Sequence, residues 1–156
     1  MTFDTLLDHV PVVEQNIHIM RTDIKPGDAA VEYEKKLHSY FPDKSKTFDL
    51  VMLGLGDNAH TLSLFPGYGI VNEKEKWVAS FYLTEQEMYR ITLTAPVVNA
   101  ADLVVFLVSG ADKAAALQHV LEGEHEPDLY PSQIIQPYSG QLYWWVDEAA
   151  ARDLES

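Results

Sequence analysis

Cysteine is absent from the 156 residues, which removes a disulfide framework, a thiolate nucleophile and a thiolate metal site together. Positive charge is scarce: 11 Lys and Arg stand against 24 Asp and Glu, a formal net charge of -13. Such a surface repels polyphosphate backbones and no basic stripe interrupts it, so nucleic acid is not an expected partner. No apolar run approaches the ~20 residues needed to span a bilayer. The stretch from Met1 to Val10 lacks the basic-then-apolar pattern of a signal peptide. These absences fit a cytoplasmic protein with no membrane partner. His18, His38, His119 and His125 are scattered without metal-ligand spacing, and the carboxylates form no cluster, so neither a metal nor an organic cofactor is implied. The acidity has a further consequence. A small anionic ligand would have to be held by a few cations against an unfavourable long-range field, so any Arg or Lys in a pocket gains weight.

What is present suits one domain over residues 1–156, long enough to bury a core. Short apolar runs alternate with helical stretches, which predicts α/β layering with a largely parallel sheet. Helices are expected over Thr2–His9, Pro26–Tyr40 and Ala111–Leu121, with a helical turn at Val97–Ala101 and a final helix capped by Asp147 and reaching Leu154. Strands are expected at Asn16–Met20, Phe48–Leu53, Trp77–Leu83, Tyr89–Thr94, Leu103–Val108 and Leu142–Val146. Phe48–Leu53 is apolar enough to be buried on both faces. Tyr143, Trp144 and Trp145 read as core and sheet packing rather than a sugar-stacking platform.

The densest chemistry follows the Phe48–Leu53 strand, in Leu53-Gly54-Leu55-Gly56-Asp57-Asn58-Ala59-His60-Thr61-Leu62-Ser63-Leu64-Phe65-Pro66-Gly67. A buried strand ending in a glycine turn presents polar groups at its C-terminal end, where open α/β sheets bind ligands. Gly54 and Gly56 permit close backbone approach to a ligand, and His60 titrates near neutrality. On spacing alone, a ligand site and a plain strand-to-loop turn with a surface His are equally good readings. Ser63 reads as a hydroxyl holding the loop rather than as a nucleophile paired with His60.

As a whole the segment resembles the signature of the 6-phosphogluconolactonases, Leu-Gly-x-Gly-x-Asp-Gly-His-Thr-x-Ser-Leu-Phe-Pro-Gly, departing from it at Asn58 and Ala59. Arg90-Ile91-Thr92-Leu93-Thr94-Ala95-Pro96 with Asn99-Ala100-Ala101, Val108-Ser109-Gly110-Ala111-Asp112-Lys113-Ala114 and the closing Tyr143-Trp144-Trp145-Val146-Asp147-Glu148-Ala149-Ala150 are similar to later family segments. The resemblance implies a three-layer, Rossmann-like fold, a mostly parallel sheet flanked by helices. It implies hydrolysis of 6-phospho-D-glucono-1,5-lactone in the pentose phosphate pathway, without cofactor. His60 would be the base, with Asn58 beside it where the family carries Asp. Gly54, Gly56, Arg90 and Lys113 would bind the substrate and its phosphate, helped by free N–H groups at the start of the Ala111 helix. Asn58 keeps a hydrogen bond but gives up a charge. Ala59 in place of Gly requires a backbone that avoids positive φ.

Family members also begin with a strand, a Gly-rich phosphate loop and an Asp-Glu-Arg segment that have no match here. The fold is therefore expected to be incomplete at its N-terminal side, with an edge and apolar faces uncovered, and a homo-oligomer is expected to complete the sheet. The other readings are a non-catalytic or vestigial sugar-phosphate-binding protein and, fitting the Thr61–Gly67 run less well, a glucosamine-6-phosphate deaminase-like enzyme.

Overall fold

A computed structural model of the chain describes residues 2–155. Helix α1 (Thr2–Thr5) and a 3-10 turn at Leu7–His9 open the chain. Their apolar Phe3 and Leu6 stay exposed, so this start is a pair of local turns rather than a docked helix. Helix α2 (Pro26–Tyr40) begins on Pro26, whose missing N–H is harmless in a first turn. It buries Ala29, Ala30 and Leu37. Strand β1 (Val51–Leu53) follows, then the antiparallel pair β2 (Val78–Leu83) and β3 (Met88–Leu93). Helix α3 (Ala95–Asn99), strand β4 (Leu103–Val108), helix α4 (Ala114–Glu122) and strand β5 (Gln141–Val146) complete the order.

The parallel sheet has the order β1-β4-β5. In register, Leu53 lies beside Phe106 and Phe106 beside Trp144, so alternate residues line one face. On that face Val104, Phe106, Leu117 and Ile135 are essentially fully buried, and the Phe106 and Trp144 rings stack at 3.8 Å. Helix α2 packs against the β2–β3 pair. Its Glu34 carboxylate accepts the Trp77 N–H at 2.5 Å and the Val78 N–H at 3.3 Å, closing the start of β2.

Several expected elements are corrected. Asn16–Met20 is not a strand: a 3-10 turn ends at Asn16 and Ile19 is exposed. This stretch is tied by side chains instead, with Tyr33 donating its hydroxyl to the His18 carbonyl and the His18 ring resting on Tyr40. The Phe48–Leu53 run pairs only from Val51, because the Phe48 carbonyl is taken by the Asp102 N–H. The Ala111 helix starts as a 3-10 turn and becomes α-helical at Ala114. After Asp147 the chain makes turns, not a helix. Ala151 N–H reaches the Asp147 carbonyl and Asp147 Oδ1 accepts from Ala150, but no ladder continues, as expected for so short a segment.

Nor is β1 buried on both faces. Met52 is 61% exposed between buried Val51 and Leu53. Leu50, Leu107, Tyr143 and Trp145 are exposed alongside it, Trp145 at 64%. One face of the parallel sheet is thus apolar and uncovered among the described residues. No helix among them is long and apolar enough to cross a membrane.

Candidate active site

All three parallel strands deliver polar groups at their C-terminal ends. β1 runs into Gly54–Gly56, β4 into Ser109-Gly110, and β5 into Asp147. The loop after β1 folds back on itself: Gly56 N–H donates to the His60 carbonyl at 2.8 Å and Ala59 N–H to the Gly56 carbonyl at 3.0 Å. This tight turn sets the His60 ring directly over Gly56. A Cβ added there would lie 2.0 Å from His60 Nδ1. Gly54 faces open space, with nothing within 4 Å of an added Cβ. Gly54, Gly56, His60, Thr61 and Leu62 line an open cavity of about 370 Å³.

Asn58 settles the tautomer of His60. Its Oδ1 lies 3.3 Å from the His60 backbone N–H and 2.6 Å from His60 Nδ1. A backbone N–H only donates, so the side-chain atom facing it is an acceptor, which assigns the oxygen there. Nδ1 must then carry the proton, and Nε2 is left with its lone pair. Phe65 stacks on the ring at 4.2 Å and 17°, fixing its plane.

Burial lowers the His60 pKa, because it penalises the imidazolium. Asp57 opposes this and raises it, while the positive charges of Lys113 and Arg90 lower it further. His60 therefore feels both of the expected cations. Asp57, one residue before Asn58, is the carboxylate whose charge bears on the ring.

Ala59 corrects an expectation. Its φ is +61°, the left-handed region in which a Cβ costs roughly 1 kcal/mol. It is nonetheless 1% exposed and held there. Buried hydroxyls do the holding. Ser132 donates both its N–H (3.0 Å) and its Oγ–H (2.8 Å) to the Ala59 carbonyl. Thr61 Oγ1 donates to the Gly54 carbonyl at 2.9 Å, and Thr92 Oγ1 accepts the Ser63 N–H at 3.1 Å. Ser63 thus enters the loop's network through its backbone.

A model of the family described as glucosamine-6-phosphate isomerases/6-phosphogluconolactonase matches residues 1–144. The chain belongs to that family. It is 41% identical over 149 residues to the 6-phosphogluconolactonase of Homo sapiens, covering 94% of this chain and 57% of that protein. It is 38% identical over 152 residues to the 6-phosphogluconolactonase of a Nostoc species, covering 95% of this chain and 62% of that one. The chain therefore spans about three fifths of the length of these relatives. The crystal structure of devB protein superposes with a TM-score of 0.88 at 27% identity, over 98% of this chain and 65% of that one.

Within this member of the glucosamine-6-phosphate isomerase/6-phosphogluconolactonase family, the two cations are held differently. Arg90 sits on β3 opposite Phe81. Its Nη2 donates to Gln86 Oε1, and its Nε is buried with no hydrogen-bond partner among the described residues. Lys113 Nζ lies 2.8 Å from Asp112 Oδ2, and that ion pair holds the Asp112 carboxyl below its usual range. Asp112 is largely exposed, so the pair is weakly held.

The Gly110 N–H, just before the start of the Ala111 helix, is occupied. It donates to both oxygens of Asp147 at 3.1 Å, and that carboxylate disfavours an anion at this point. Sequence reasoning missed Asp147 in this role, and also Ser132, Thr92 and Phe65. Phe65, Thr92 and Asp147 lie in segments similar to the family's, whereas Ser132 lies in none of them. Ser132 acts across 73 residues and Thr92 across 29, contacts to which no spacing rule applies.

Proposed function

We propose that this chain acts as a 6-phosphogluconolactonase, opening 6-phospho-D-glucono-1,5-lactone to 6-phosphogluconate. One observation carries the reading. His60 lines an open cavity at the sheet's C-terminal end, with Nδ1 committed to Asn58 and Nε2 left as the free base. In a chain 41% identical to the human enzyme, that is the group such a hydrolysis needs.

Nε2 takes a proton from water as the water oxygen attacks C1. The C1 oxyanion collapses, the bond from C1 to the ring oxygen breaks, and the departing alkoxide recovers the proton from the imidazolium. A lowered pKa keeps His60 neutral and ready as a base at pH 7. Asn58 orients the ring, and Asp57 supplies negative charge when the imidazolium forms. Arg90 and Lys113 would hold the phosphate, a planar fork and a point charge. Gly54 leaves the cavity wall open to the ligand. No cofactor enters this scheme.

The test is hydrolysis of freshly generated 6-phosphogluconolactone, coupled to 6-phosphogluconate dehydrogenase and corrected for spontaneous opening. The expected result is a rate above background that vanishes in His60→Ala. A folded protein with no rate above background overturns the catalytic reading.

The chain is read as one domain over residues 1–156 acting in the cytoplasm, and its bare sheet face supports assembly. Leu50, Met52, Leu107, Tyr143 and Trp145 form a contiguous apolar surface of the kind that soluble proteins cover. A homo-oligomer that buries this face completes the sheet layer.

A further inference from the structure

The His60 loop is built around an unfavourable residue. Ala59 occupies the left-handed region with a side chain attached, at the position immediately before the candidate base. Its own N–H is used within the turn, on the Gly56 carbonyl. Its carbonyl, in the peptide that joins it to His60, accepts two hydrogen bonds, both from Ser132. Ser132 and Ala59 are each 1% exposed, so water cannot substitute for either bond.

The segment that carries Ser132 is anchored independently. It is a 3-10 turn, Pro131–Ile134, with buried Gln133 beside Ser132. Gln133 Nε2 donates to the carbonyls of His119 and Glu124 at 3.0 and 2.9 Å, and its Oε1 accepts the Glu126 N–H at 2.8 Å. On the other side Asn99 Nδ2 donates to the Ile134 carbonyl at 2.9 Å. The turn is therefore fastened to the end of α4, whose first turn follows Lys113, and to α3, which follows β3 and Arg90. Ser132 thus links the His60 loop to α4 and α3.

We propose that Ser132 is a positioning residue for His60, pinning the Ala59 carbonyl so that the next residue's imidazole is held over Gly56 and against Asn58. The effect on catalysis rests on reading His60 as the base, but the effect on the ring does not.

Two readouts separate these. In the first, the His60 ring is titrated by proton NMR, its resonance assigned by its loss in His60→Ala. In the wild type it titrates below the ordinary value, with Asp57, Lys113 and Arg90 as the charges that bear on it. Ser132→Ala removes the Oγ–H bond and keeps the backbone one; the loosened ring is better hydrated and its titration moves up towards the ordinary value. In the second, kcat for the lactone falls about tenfold while KM changes little, as for a base displaced from its attack geometry.

Adding Ala59→Gly to Ser132→Ala restores most of both, since a glycine holds the left-handed turn without the pin. A structural role elsewhere in the fold would make the two substitutions additive instead. An unchanged His60 titration in folded Ser132→Ala, or strict additivity in the double variant, overturns the proposal. If Ser132→Ala does not fold, Ser132→Cys, of similar volume and weaker as a donor, is put through the same titration and decides by the same criterion. If no variant hydrolyses the lactone, including the wild type, the catalytic reading fails while the titration still decides the positioning.

Discussion

Replacing Gly56 by Ala tests whether the loop exists to place His60. The new Cβ would lie 2.0 Å from Nδ1, 2.2 Å from Cε1 and 2.9 Å from Cγ, where ordinary contact begins at 3.4 Å. The ring must retreat by about 1.4 Å, the gap between the first and last of those distances. The backbone has little freedom to absorb this, because Gly56 N–H is bonded to the His60 carbonyl at 2.8 Å. The 2.6 Å hydrogen bond to Asn58 and the 4.2 Å stack on Phe65 are lost together.

In stability that amounts to about 1–2 kcal/mol, one modest hydrogen bond and one ring contact. In catalysis a displacement of about 1 Å costs about 100-fold, or about 2.7 kcal/mol of barrier. Gly54→Ala is the matched control, since its Cβ meets nothing within 4 Å. It is expected to alter KM at most, by intruding on the cavity. The assay is the coupled lactone measurement, with thermal melts to show that each variant is folded. Comparable kcat losses in both variants, or a Gly56→Ala enzyme keeping half of the wild-type kcat, would refute the reasoning.

Four further outcomes follow from the structure. Ala59→Gly removes a left-handed alanine and is expected to stabilise the protein by about 0.5 kcal/mol, the relief being partly offset by the freer unfolded chain; a lowered Tm would contradict this. Asn58→Asp places a carboxylate on Nδ1, so the His60 pKa rises, the acid limb of the kcat/KM profile moves to higher pH, and turnover increases. Unchanged turnover with an unmoved limb counts against the role given to Asn58. In the wild type the lowered His60 pKa means that the unfolded chain takes up this proton first as pH falls through 6.5. His60 therefore withdraws stability from there down to its lowered folded value, and the acid-side loss measured by denaturant midpoints should shrink in His60→Gln. Finally, Trp145→Lys charges the bare sheet face and is expected to dissociate an oligomer formed through it. A light-scattering mass unchanged from wild type, or a wild type that is already monomeric, removes that interface.

The sequence by itself determined the α/β class, the strand β4 residue for residue, helix α2 at both ends, and the loop on which His60 sits. Each of these is a local signal: an apolar run, a proline in a first turn, a glycine turn after a strand. It also singled out Arg90 and Lys113, through segments similar to the family's and not through spacing, and in the structure the charge of each bears on His60. It misjudged Asn16–Met20 and the chain after Asp147, because a strand needs a partner edge and a short helix needs packing, neither of which is written locally.

Only the tertiary structure decided the rest. It showed that position 59 is left-handed although occupied by alanine, because a serine 73 residues away supplies the compensating bonds. It showed that Asn58 sets the tautomer of His60, that Asp147 occupies the Gly110 N–H, and that one face of the parallel sheet is bare. Backbone sign, tautomer and coverage all depend on which groups the fold brings within hydrogen-bond or van der Waals reach, and that proximity is a property of the packed chain.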